Sequence, residues 1–173
     1  HDVYRHQHQR GTKAVKIKLI LPALTEAKSP FFRPIKYSLF PPLGLATLAA
    51  YLDPDDEIVL QDEHVEELDL QDEPELVVIQ VYITSAYRAY RLADHYRARG
   101  AHVCLGGLHV TSLPEEAAAH ADTIFLGPGE ETWPQFLADY RAGQPRRRYG
   151  STVRTLAGLP PIRRDLIKRP LYL

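Results

Sequence analysis

Short apolar runs alternate along this chain with segments of helical period. Val15-Lys16-Ile17-Lys18-Leu19-Ile20-Leu21 starts with apolar and polar residues in turn and closes in an unbroken apolar run, the pattern of a strand with a buried far end. After Pro41-Pro42-Leu43-Gly44, the residues Leu45, Leu48, Ala49 and Leu52 recur at i, i+3, i+4 and i+7 and form one stripe of a first helix. Residues 57–61 and 76–81 read as the second and third strands. Ser85 is placed to cap a helix that buries Ala89, Leu92, Ala93 and Tyr96 and stops at Gly100. Residues 101–105 and 122–126 read as the fourth and fifth strands. Ser112-Leu113-Pro114-Glu115 has the capping-box spacing and is expected to open a short helix to about Ala119. Thr132-Trp133-Pro134-Gln135 repeats that spacing ahead of an apolar stripe of Trp133, Phe136, Leu137 and Tyr140, which Gly143 ends.

Five strands alternating with helices imply an α/β fold, a doubly wound parallel five-stranded sheet in the flavodoxin-like order 2-1-3-4-5. The connection from Asp62 to Pro74 is acidic and promises at best a poor helix. Residues 1–13 are polar and irregular and read as an N-terminal extension, 14–143 as the folded domain, and 144–173, basic and carrying Pro160-Pro161 and Pro170, as a linker.

A chain of 173 residues, 45% hydrophobic and 25% charged, has the composition of one ordinary globular domain. Its net charge of −1 hides a segregation: twelve acidic and no basic residues from Asp53 to Glu75, nine basic residues against Asp165 alone from Arg141 to Leu173. Such runs read as a solvated acidic face and a basic tail, or as a tail that docks on a further domain or an anion. The one cysteine, Cys104, lies within an apolar run, forms no intrachain disulfide and reads as a core residue of a protein in a reducing, cytoplasmic compartment. No apolar stretch approaches the ~20 residues of a membrane span, so no membrane partner is expected.

In open α/β sheets ligands lie beyond the carboxyl ends of the strands, which directs attention to segments 22–43, 82–85, 106–112 and 127–132. The first is about twenty residues long where strand-to-helix loops commonly run 2–6. With Phe31, Phe32, Ile35, Tyr37, Leu39 and Phe40 it is too apolar for a free polar loop, so it either packs on its own domain or covers a flat ligand or partner. Gly106-Gly107 and Gly127-x-Gly129 each follow a strand and precede a helix. Singly they read as tight turns; together they favour a phosphate-bearing or large planar ligand. Thr84 and Ser85 add hydroxyls to the same rim.

Several chemistries are absent. Pro22-Ala23-Leu24-Thr25-Glu26 is no flavin-phosphate loop, and Val81-Tyr82 stand where a phosphoacceptor receiver carries its Asp. There is no nucleophile elbow, no zinc-ligand spacing, and no basic–aromatic interleaving of the kind that binds nucleic acid. Asp62-Glu63-His64 has a D-x-H pattern but reads as a coincidence in a charged loop. His95 and His120 read as surface or capping residues, which leaves His109 as the one histidine on the ligand rim.

Taken in order, three stretches resemble the cobalamin-binding domain that precedes the catalytic barrel in B12-dependent radical SAM enzymes. They are Pro41-Pro42-Leu43-Gly44-Leu45-Ala46, Gly106-Gly107-x-His109-Val110-Thr111 with Pro114-Glu115-Glu116-Ala117, and Gly127-Pro128-Gly129-Glu130, where Pro128 replaces the family's usual Glu. The resemblance runs from the first strand to about Tyr140. It implies a Rossmann-like domain holding cobalamin, with the nucleotide tail passing Tyr82, Thr84, Ser85, Gly106 and Gly107. His109, Val110, Thr111, Gly127, Gly129 and Glu130 would stand near it. The corrin ring would lie on the 22–43 segment, which offers Ser38, Leu39, Pro42 and Leu43, with Gly44 next in the chain. It further implies base-off, His-off cobalamin poised for methyl transfer to a poorly activated substrate, since no histidine lies between Pro22 and Pro42. The [4Fe-4S] cluster and S-adenosylmethionine of such enzymes need a three-cysteine loop that this chain lacks, so they are expected on a C-terminal radical SAM domain outside it. The alternatives left open are a stand-alone corrinoid carrier or sensor, and a flavodoxin-like domain with another nucleotide or no ligand.

Overall fold

The computed structural model describes residues 13–23, 43–150 and 163–168. Six strands, β1 (Lys16–Leu21), β2 (Glu57–Asp62), β3 (Leu76–Gln80), β4 (His102–Gly106), β5 (Thr123–Leu126) and β6 (Arg148–Gly150), form one sheet in the order β2-β1-β3-β4-β5-β6. Every pairing is parallel. The doubly wound α/β fold and the order of the first five strands match the reading of the sequence. The sixth strand does not: it lies in the span expected to be linker. Three residues that begin with Arg148 and follow Arg146-Arg147 carry no strand signal of their own. What makes them a strand is Tyr149, 1% exposed, whose ring stacks on Phe125 and whose hydroxyl donates to Asp139 Oδ2 at 2.6 Å.

Alternation along the strands divides the core. Leu19, Leu21, Val78, Cys104 and Phe125 face one side and pack with α1 (Leu43–Ala49) and α5 (Gly129–Arg141). Ile20, Val77, Ile79, Val103, Leu105 and Ile124 face the other and pack with α2 (Ala86–Ala98), α3 (Leu108–Ser112) and α4 (Pro114–Ala118). Cys104 is fully buried, and burial raises its thiol pKa well above the ordinary value, as a core role requires.

Helix boundaries depart from the capping signals in three places. Ser85 stands at the N-cap of α2, but its hydroxyl turns back to the Tyr82 backbone, at 3.4 Å to both N and O, within a 3-10 turn at Ile83–Ser85. The short helix expected after Ser112 is α4, but a further short helix, α3, precedes it and ends at Ser112, whose Oγ donates to the Leu108 carbonyl instead of capping. Helix α5 begins at Gly129, a turn before Thr132, which places Thr132 inside it. In each case the chain already turns helical before the expected cap, at the Ile83–Ser85 turn, after Gly107 and at Gly129, so the hydroxyl is overtaken before it can cap.

The β2–β3 connection carries no helix, as its composition suggested. Its hold on the sheet comes from Lys18, a residue whose alternation suggests an exposed position but which is 1% exposed. Lys18 Nζ donates to Asp72 Oδ2 at 2.7 Å, to Tyr96 Oη at 2.8 Å and to the Asp69 carbonyl, so all three ammonium protons have acceptors. A buried ammonium is tolerable only when so matched.

Candidate functional site

At the carboxyl ends of β3, β4 and β5, between α1 and α5, a cleft of about 220 Å³ opens from the sheet surface. Its floor and walls are the side chains of Leu45, Leu48, Val78, Phe125 and Trp133, with Tyr51 and Thr47 on the α1 side. Five glycines line it: Gly44 at the start of α1, Gly106 and Gly107 after β4, and Gly127 and Gly129 after β5. A Cβ on Gly44 would lie 3.6 Å from the Gln80 amide, on Gly106 3.5 Å from Phe125 Cβ, and on Gly129 3.5 Å from Leu48 Cδ2. The space over the sheet therefore exists because these positions carry no side chain. Gly107 is needed for a second reason: at φ +115 its Cβ would meet the Val81 carbonyl at 2.7 Å.

Hydrogen bonds fix the rim. Thr111 Oγ1 donates to the Gly107 carbonyl at 3.2 Å and accepts the Gly127 N–H at 3.0 Å, so one hydroxyl ties the two glycine turns together. Trp133 Nε1 donates to the Leu48 carbonyl at 2.9 Å, which locks α5 to α1 behind the cleft. Gln80 Nε2 donates to the Tyr82 hydroxyl at 2.8 Å at the mouth. Beside it, Glu63 accepts the Ala23 N–H at 3.1 Å and binds Arg88 through both oxygens, the shorter contact 2.7 Å. That hydrogen bond is the main reason the Arg88 pKa is raised. The pair anchors the exit of β1 where the strand order reverses, the usual ligand position in open α/β sheets.

Of the residues expected at a ligand site, Gly44, Gly106, Gly107, Gly127 and Gly129 meet in the cleft. Leu43 begins α1 and Glu130 lies in the first turn of α5. Tyr82 and Thr84 are exposed on the rim, and Ser85 is buried beneath it. Val110 belongs to the core on the opposite face. His109 also turns away from the cleft, to Glu116 Oε2 at 2.8 Å. Glu116 accepts Tyr90 Oη at 2.7 Å as well; these two bonds, the tyrosine's first, hold the carboxylate pKa below its ordinary value. Ser38, Leu39 and Pro42, with most of the segment expected under a corrin ring, lie outside the described residues. His64 Nδ1 lies 2.7 Å from Asp62 Oδ1 and is not among the residues lining the cleft. No group of three or more His, Cys, Asp or Glu side chains among the described residues is placed to hold a metal ion.

Reading the sequence missed Leu45, Thr47, Leu48, Tyr51, Val78, Ile79, Gln80, Phe125 and Trp133. All but Gln80, Tyr51 and Thr47 looked like plain core residues, and only the missing side chains opposite them expose their faces. A usable signal existed: Gly44 and Gly129 stand at helix starts that converge on the same strand ends.

The cleft suits one arm of a large cofactor. Pockets that take up whole drug-sized ligands span about 300–1,000 Å³, so this one has room for only part of such a ligand. The sequence profile of the B12 binding domain matches residues 37–137. Over 110 residues the chain is 38% identical to bacteriochlorophyllide d C-8(2)-methyltransferase of Chlorobaculum tepidum, covering 63% of this chain and 24% of that protein. Over 88 residues it is 30% identical to bacteriochlorophyllide d C-12(1)-methyltransferase of the same organism, covering 50% and 19%. The matched part thus spans a quarter or less of these relatives. The structure of the cobalamin-dependent S-adenosylmethionine radical enzyme OxsB with aqua-cobalamin bound superposes with a TM-score of 0.63 at 14% identity, over 90% of this chain and 25% of that one, a likeness of fold. With the profile spanning more than half of its residues, this chain belongs to the B12 binding domain family.

Proposed function

We propose that this chain is the cobalamin-holding domain of a cobalamin-dependent radical SAM methyltransferase, with the nucleotide tail of the cofactor seated in the glycine-lined cleft. The cleft carries the proposal: five glycines clear an apolar slot at the ends of three strands, and no charged side chain is among the described residues that line it. Leu48, Val78, Phe125 and Trp133 would grip a planar base by contact. The Thr111 clamp would keep the two glycine turns at the separation the tail requires. Bound cobalamin would supply a cobalt centre that accepts and gives up methyl groups. In this reading the cofactor is base-off, because its own base is in the cleft, and His-off, because His109 is turned to Glu116 and neither His64 nor His109 is among the residues that line the cleft. The [4Fe-4S] cluster, S-adenosylmethionine and the substrate would belong to a C-terminal radical SAM domain of the same protein, in the cytoplasm. Residues 14–143 together with β6 would form the cofactor domain proper, flanked by an extension over 1–13 and followed by the remainder of the basic span as a connection. Among the described residues, no helix is long and apolar enough to cross a membrane.

The test is to mix the chain with hydroxocobalamin, desalt it and record the absorption spectrum of the protein fraction. A retained corrinoid with a base-off spectrum, unchanged in His64→Ala and His109→Ala, is the expected result. Gly106→Val keeps an ordinary contact with Phe125 at Cβ but fills the slot, and should lower retention at least tenfold with the far-UV circular dichroism intact. Loss of colour from the unaltered chain would overturn cobalamin binding. A histidine-ligated spectrum would overturn the His-off reading, and full retention by Gly106→Val would overturn the placement of the tail.

A further inference from the structure

We infer that the cleft selects among corrinoids by their lower base, accepting a benzimidazole and discriminating against a purine; this rests on the proposed seating of the nucleotide tail. The inner surface is built from Leu45, Leu48, Val78, Phe125 and Trp133. Phe125 is 7%, Val78 3%, Leu45 2% and Trp133 1% exposed, so these walls are part of the packed core and do not rearrange freely. The indole N–H, the one polar atom among these side chains, is already donated to the Leu48 carbonyl at 2.9 Å. Polar atoms concentrate at the mouth instead, where the Gln80 amide points to the Tyr82 hydroxyl and the glycine turns present their backbone. Thr47 and Tyr51, on the α1 side, engage other groups.

A benzimidazole entering this slot buries carbon and methyl groups against carbon. An adenine of similar outline brings an exocyclic amine and additional ring nitrogens to the same depth, where the five inner side chains offer no acceptor or donor. Water leaves those groups on entry and none of the five inner side chains replaces it, and a polar group buried without a partner costs more than the equivalent apolar group gains. Gln80 at the mouth is too far out along the strand to compensate, since it ends β3 while Val78, two residues earlier on the same face, forms the floor.

Trp133 provides the readout. It is the single tryptophan of the chain and lines the cleft, so a corrinoid whose tail is seated there quenches its fluorescence. The experiment titrates the 173-residue chain with hydroxocobalamin, with its adenine-based analogue, and with cobinamide, which has no nucleotide. Dissociation constants come from Trp133 quenching and, independently, from equilibrium dialysis. Hydroxocobalamin is expected to bind at least tenfold more tightly than the adenine analogue. Leu48→Asn, which places an amide in the wall, should narrow that ratio severalfold while circular dichroism confirms the fold. Equal affinity for the two bases, both above cobinamide, would overturn base selection and leave the seating of the tail intact. Equal affinity for all three, or binding without quenching, would overturn the seating and the selection together. A ratio unchanged in a folded Leu48→Asn would assign any preference to the mouth and overturn the role of the inner walls.

Discussion

Gly107 shows how much of this site depends on single residues. Its φ of +115 lies where side chains other than glycine are strained, and a Cβ would sit 2.7 Å from the Val81 carbonyl. Both costs fall on one substitution, so Gly107→Ala should destabilise the domain by about 2–3 kcal/mol, read as a lower urea midpoint with unchanged slope. Gly106 next to it has ordinary backbone geometry and a tolerable 3.5 Å contact, and Gly106→Ala should cost well under half as much. The doublet was visible as a tight turn. That its second member is needed for conformation and its first only for space required the positions of Val81 and Phe125. Lys18 makes the complementary point: its period-two position read as polar and exposed, and only the acidic crossover folding beneath α2 makes it a buried anchor.

Helix α5 shows the competition between capping and packing at the scale of an element. Its stripe of Trp133, Phe136, Leu137 and Tyr140 was legible from spacing, and Gly143 ends it at φ +75 as expected. Its start was not legible, because the Thr132 capping signal lost to a helix already begun at Gly129. Thr132 Oγ1 is left buried without a hydrogen-bond partner. Thr132→Val replaces that hydroxyl with a methyl of the same shape and should stabilise the chain by about 1 kcal/mol in thermal or urea unfolding. A loss of that size instead would show that the hydroxyl has a partner in solution. The same early start puts Gly129, not Thr132, at the cleft.

Across the whole sheet, the far edge is joined by a relay from β4 to the start of β6. Thr123 Oγ1 donates to the Arg146 carbonyl at 2.8 Å, so it receives its other bond from His102 Nε2–H at 2.9 Å. Burial lowers the His102 pKa from its ordinary value of 6.5, with Asp122 opposing and Arg97 adding to the shift. The native ring therefore binds fewer protons than the unfolded chain just below that pH. Its contribution to stability is complete above about 6.5 and declines as the pH falls toward the lowered native value. Urea midpoints at neutral and mildly acidic pH should accordingly drop less in His102→Gln, which keeps a donor but cannot titrate. Equal drops would mean that the ring is not held neutral.

Local information was enough for the elements and the topology class: apolar period, glycine and proline punctuation, and strand–helix alternation determine a doubly wound parallel sheet with its ligand rim at the carboxyl ends. It also marked the glycine turns, because a missing side chain is a property of the sequence itself. What the sequence left undecided depends on contacts between residues far apart along the chain. A tyrosine pulls three residues at the end of an arginine run into a sixth strand, a lysine is buried by three acceptors 51 or more residues away, and His109 is turned to Glu116 instead of the cleft. The depth and apolar character of the slot belong to the same class, since Leu48, Val78, Phe125 and Trp133 become a binding surface only where five glycines from three loops converge above them.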